Sequence, residues 1–162
     1  MPIPAGFAQH TSGFLIKLSD QSGPYMFDGT TTTLAPSASV NTDTAALLTY
    51  AAAAVGSNGT DQTNTSARGF KLVIDITALT GVGPTLTVTV QGKDAASGKY
   101  YTILASTALA AVATTTLEVY PGIASAANSA AGVTLPRTWR VIAVIAGTTP
   151  AVTATVGASM IV

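Results

Sequence analysis

Phe70-Lys71-Leu72-Val73-Ile74-Asp75-Ile76-Thr77 is the stretch that decides the fold class of this chain. Phe70, Leu72, Ile74 and Ile76 fall on one face; Lys71, Asp75 and Thr77 fall on the other, with Val73 the single apolar exception. Successive side chains of a strand point to opposite faces, so this period-two alternation predicts a half-buried strand. Gly81-Val82-Gly83-Pro84 breaks the pattern, and Leu86-Thr87-Val88-Thr89-Val90-Gln91 resumes it with β-branched residues that suit a pleated surface. Asp94-Ala95-Ala96-Ser97-Gly98 then reads as a hairpin loop into Lys99-Tyr100-Tyr101-Thr102-Ile103-Leu104.

The same signals continue to the last residue. Thr114 to Tyr120 alternates, with Leu117 and Val119 opposite Glu118, and Pro121-Gly122 ends it. Residues 123–135 are small and without period, an extended connection. Thr138 to Ile145 is apolar at every position after Arg140, which predicts a central strand covered on both sides. Gly147-Thr148-Thr149-Pro150 turns the chain into a last strand from Val152 to Val162. Strands in series without intervening helices predict an all-β fold, an antiparallel β-sandwich of jelly-roll or Ig-like form.

The N-terminal part is less regular. Residues 1–43 are expected to form an N-terminal arm or hairpin, and residues 44–162 the β-sandwich domain. Gly13 to Leu18 and Pro24 to Phe27 are placed to pair around Asp20-Gln21-Ser22-Gly23, with an extended segment from Thr30 to Ser37 after them. Ala45 to Val55 is rich in helix-forming alanine and leucine, with Asp43 as a cap and Gly56 as a stop. Its place ahead of an all-β domain favours strand.

Charge is the compositional oddity. Only 9% of residues are charged, against about 25% in an average soluble domain, and seven cations balance seven anions. Mean hydropathy is +0.46. A surface so poor in charge has little to repel its neighbours, so burial of much of it in an assembly is expected. Neutral balance also argues against nucleic acid, whose phosphates need a basic face. The N-terminus lacks the basic and apolar regions of a secretory signal, and no apolar run approaches the roughly 20 residues of a membrane span. No membrane partner is expected.

Residues able to do chemistry are scarce. There is no cysteine, and His10 is the one histidine. A solvated terminus is its simplest setting, and no Gly-x-Ser-x-Gly elbow accompanies it. Asp75 reads as an outward-facing strand residue and Asp94 as a turn former. Gly92-Lys93-Asp94-Ala95-Ala96-Ser97-Gly98-Lys99-Tyr100 resembles a phosphate-binding loop, but it has one residue too many and tyrosine where serine or threonine is required. Neither catalytic, metal nor cofactor residues are assigned. Arg137 and Arg140 flank Trp139, a pairing of residue types common at interfaces, although a buried core tryptophan is the simpler reading of Trp139. The candidate interface residues are Phe7, Phe14, Tyr25, Phe27, Arg137 and Arg140.

Several pieces in order resemble a known group. They are Ala67-Arg68-Gly69, Leu72 to Thr77, Leu86 to Asp94, Ser97-Gly98-Lys99-Tyr100-Tyr101, Tyr120-Pro121-Gly122, Leu135 to Val141 and Val156 to Val162. Together they are similar to a family of small structural proteins of tailed bacteriophages. The resemblance implies a non-enzymatic virion component assembled in the host cytoplasm. The role that fits best is a capsid decoration, or cement, protein: a homotrimer on the capsid surface that stabilises the head by binding across major capsid protein subunits. The N-terminal segment would then cross to an adjacent subunit by strand addition. The alternatives are a tail tube, connector or fibre protein, or a surface glycan-binding or adhesion module using Tyr100, Tyr101 and Trp139.

Overall fold

The computed structural model describes the backbone of residues 7–9, 15–17, 25–27, 34–36 and 44–161, and the side chains of residues 47–161. The described strands are β1 (Phe7–Gln9), β2 (Leu15–Lys17), β3 (Tyr25–Phe27), β4 (Leu34–Pro36), β5 (Thr44–Ala53) and β6 (Gln62–Thr63). They continue with β7 (Gly69–Lys93), β8 (Tyr100–Ala105), β9 (Ala113–Val119), β10 (Ala130–Ala131) and β11 (Thr138–Ile161). No helix occurs among the described residues, so the all-β expectation holds.

The chain divides into two compact units, Met1–Val40 and Asn41–Val162. In the first, β1 pairs antiparallel with β2, and β3 with β4. This corrects the expected hairpin, which joined the segments of β2 and β3. Each of these strands instead pairs across the shorter intervening segment, which costs less loop-closure entropy.

The second unit is built on the 25-residue β7 and the 24-residue β11, which run antiparallel from Trp139↔Gly92 to Ile161↔Gly69. The two breaks read in the sequence, Gly81–Pro84 and Gly147–Pro150, are therefore not turns between separate strands. They lie opposite one another in the middle of one ladder, where Thr148 pairs with Val82 and the register shifts on either side. Gly81 and Gly147 take φ of 111° and 131° there, a region that a side chain disfavours. The ladder bends at this corner. Phe70 and Trp139 prove how far: about 22 residues of straight strand would separate them by roughly 70 Å, yet their rings stack with centroids 4.7 Å apart. The ladder has doubled back on itself.

The corner divides the ladder into a proximal half, residues 69–80 with 151–161, and a distal half, residues 85–93 with 138–146. The proximal half is flanked by β9 on β7 and by β5 on β11. The distal half is flanked by β8 on β7 and by β6 on β11. Residues 57–59 extend the β6 edge through the bonds Gly59 N–H to Val141 C=O and Ala143 N–H to Ser57 C=O, 2.8 and 2.9 Å. The core lies between the halves. Phe70, Leu72, Ile74, Ile76, Val152 and Val156 face Leu86, Val88, Val90, Trp139 and Val141 across it, all buried in one cluster.

Three expectations need correcting. The sheet is mixed, not wholly antiparallel, because β10 pairs in parallel with β9 through Ala130↔Glu118 and Ala131↔Val119. Residues 123–135, expected to be a plain connection, fold back to cover that edge, with Asn128 at a φ of 62° in the turn that precedes β10. The segment 138–145 is central in its sheet but is not covered on both sides, since Val144 is 58% exposed. The helix-prone segment 45–55 falls largely in β5, because the long edge of β11 offers it a ladder and a place in the core for Leu48 and Tyr50.

Candidate interaction surface

Folding back buries one face of each half and turns the other outward, and the two outward faces differ. On the proximal half the outward rows carry Lys71, Val73, Asp75 and Thr77 from β7, beside Glu118, Thr116 and Thr114 from β9. Lys71 and Glu118 form an exposed ion pair at 3.1 Å, and the Thr114 hydroxyl donates to Asp75 Oδ1 at 2.8 Å. That is an ordinary solvated sheet face, as expected for Asp75.

The distal outward face is different. Alternation places Arg140, Ile142 and Val144 of β11 beside Gln91, Thr89 and Thr87 of β7. Between Arg140 and the corner it holds no charged side chain, and Val144 and Val82 at that corner end are 58% and 72% exposed. Threonine and β-branched aliphatics suit a strand whichever way they face, so nothing local in the sequence separates this exposed row from a buried one.

Its other end carries a polar cluster. Tyr100 opposes Lys93 across β8 and β7, and its side chain reaches over the sheet so that its hydroxyl donates to Asp61 Oδ1 at 2.7 Å. The Lys93 ammonium donates to Asp61 Oδ2 at 2.8 Å. The Arg140 guanidinium stacks on the Tyr100 ring, 3.5 Å from its centroid, and Arg140 Nε donates to Gln91 Oε1 at 3.0 Å. The Lys93 bond, then the Tyr100 bond, hold the Asp61 carboxyl below the usual carboxylate range. The reciprocal bond to Asp61 raises the Lys93 ammonium above the usual lysine value. Asp94 is also lowered, by the side-chain and backbone bonds that Ser97 gives it, which is the turn-forming role read from the sequence.

Of the candidate interface residues, Arg140 belongs to this cluster and Arg137 is exposed three residues before it. Phe14 lies outside the described residues, as do the side chains of Phe7, Tyr25 and Phe27; His10 is outside them as well. Trp139 is a core residue, 1% exposed and stacked on Phe70. Burial removes it from any glycan-binding groove, and Tyr100 is covered by Arg140, leaving Tyr101 as the one exposed ring of the three, at 49%. Sequence reading missed Asp61 and Gln91. Asp61 lies 32 residues from its Lys93 partner, and only the pairing of β6 beside β11 and β7 brings the two together.

Among the described residues no three His, Asp or Glu side chains gather in a metal-binding arrangement. A shallow cleft of about 370 Å³ opens between β8 and the β9–β10 region, lined by Ile103, Leu104, Ala126, Ala130 and Val133. Ser125, its one polar side chain, accepts the Gly132 N–H at 3.0 Å, so the cleft offers packing and no converging reactive groups. Comparison with protein-family models, curated proteins and solved structures finds no match to this chain.

Proposed function

We propose that this protein is a non-enzymatic structural subunit of a tailed-bacteriophage particle: a capsid decoration protein that docks on the head and stabilises it by bridging major capsid subunits. With it we propose a two-layer β-sandwich, formed by doubling one sheet over its own core, and a homotrimer as the assembled form. One observation carries the reading: an outward sheet face with Ile142, Val144 and a row of threonines that is uncharged between Arg140 and the corner. An interface core is depleted in charge and tolerates neutral β-branched residues, while a free surface gains solubility from interspersed charges. A ligand that binds only the expanded lattice stabilises that state by mass action, so a rigid sheet face with no chemistry of its own suffices.

Light scattering on the purified protein tests the assembly. A species near three times 16.1 kDa that also binds empty phage heads supports the reading. A ring of six or more would favour a tail-tube subunit, and a monomer that fails to bind heads would sink the proposal.

A further inference from the structure

The geometry points to Arg140, laid on Tyr100 at the end of the distal outward face, as a receptor for the carboxylates of an acidic protein segment. This names the chemistry of the partner surface and rests on the proposed docking role only for the partner's identity.

The argument begins with what holds the guanidinium. Arginine loses rotamer freedom when it binds, a cost of about 0.5–1.5 kcal/mol per ordered side chain. Here most of that ordering exists in the folded protein. Gln91 accepts from Nε, the Tyr100 ring lies beneath the guanidinium, and Tyr100 is itself fixed through Asp61 to Lys93. Nε is taken, and among the described residues nothing else bonds the group. The terminal nitrogens are left as a fork, the geometry that accepts a carboxylate through two parallel bonds.

Charge decides what the fork receives. Asp61 is the nearest carboxylate, but Tyr100 and Lys93 occupy its two oxygens and Arg140 does not pair with it. Lys99 and Arg137 stand exposed at the same end of the ladder. Among the described residues the ion pairs are Lys71–Glu118 and Lys93–Asp61. Arg140, Arg137 and Lys99 therefore make no ion pair among the described residues, and the carboxylates at that end are engaged, Asp61 by Lys93 and Tyr100 and Asp94 by Ser97. A fork with two further exposed cations at the same end of the ladder fits a short run of Asp or Glu better than a nucleic acid backbone, which wants a longer basic track.

The test is a ¹⁵N-detected titration of the whole chain with a hexaglutamate peptide at low salt. Saturating shifts of the Arg140 Nε–H and of the amides near Tyr100–Tyr101 and Arg137 are expected, with binding about tenfold weaker in Arg140→Gln. Arg140→Lys keeps the charge but loses the fork, and should recover less than half of the lost affinity. A well-dispersed spectrum of each variant shows that the fold is intact. Absent shifts, or shifts equally strong around Arg68 and Lys71, would overturn the inference. So would a thymidine hexanucleotide that binds the same residues as tightly. Head binding by wild-type protein, measured separately, reports on the docking role and not on this site.

Discussion

Thr149 sits at a φ of 47°, in the left-handed region that costs an L-residue roughly 1–2 kcal/mol and a β-branched one the most. Its hydroxyl bonds only the neighbouring Thr148 carbonyl, at 2.8 Å, which Asn can replace while tolerating this φ better. Thr149→Asn should stabilise the protein by about 1 kcal/mol, read as a raised thermal midpoint. At Asp61 the prediction concerns pH. Its folded pKa is lowered, so its contribution is present above the usual carboxylate value of about 4 and is lost as pH falls through the folded value. The Lys93 pKa is raised, so its contribution is present below about 10.4 and is lost as pH rises through its folded value. Tyr100 ring resonances should stay constant through the neutral range and move as pH falls through the folded Asp61 value; a transition near neutrality would contradict the cluster.

At the scale of elements, two glycines mark where strands approach too closely for a side chain, and the obstacles differ. A Cβ on Gly69 would overlap the Val119 carbonyl oxygen, fixed in the β7–β9 ladder. A Cβ on Gly92 would meet the Tyr101 ring at 2.5 Å and Pro136 at 2.9 Å, and that ring lies at the surface and can swing away. Gly69→Ala should therefore cost about 3 kcal/mol and Gly92→Ala nearer 1 kcal/mol, compared by denaturant unfolding; equal costs would contradict this account. β5 shows how an element acquires its form from its partner. Its alanines favour helix, and its ladder with β11 is irregular at two places, with Ala52 at a φ of 51° near one of them. The strand exists because Leu48 and Tyr50 reach the core from it, and Tyr50 hydroxyl further ties it to Ser57, accepting the Ser57 N–H at 3.0 Å.

For the whole molecule, the Phe70–Trp139 stack joins residues that one ladder would hold far apart. Trp139→Ala removes the largest buried side chain and should cost about 3–5 kcal/mol, loosening the contact between the two halves. Val144→Asp is the complementary variant. Val144 is 58% exposed, so folding stability should change by less than about 0.5 kcal/mol, while head binding or self-association falls. Loss of stability with binding intact would mean that this face supports the fold and not a partner.

Sequence alone determined that the chain is all-β, where most strands run and which side chains face inward. Alternation is local: Phe70, Leu72, Ile74 and Ile76 announce a buried row, and every one of them is buried. It also marked Gly81–Pro84 and Gly147–Pro150 as irregular. What only the tertiary structure decided is that these two breaks face each other, so that one ladder doubles over one core. The same holds for the parallel β10, the short pairings of β1 to β4, and the meeting of Asp61, Lys93, Tyr100 and Arg140. Each depends on which strand lies beside which, and that choice is made by the burial of distant rows against each other. A periodic pattern records the face of a residue; it carries no record of the partner across the core.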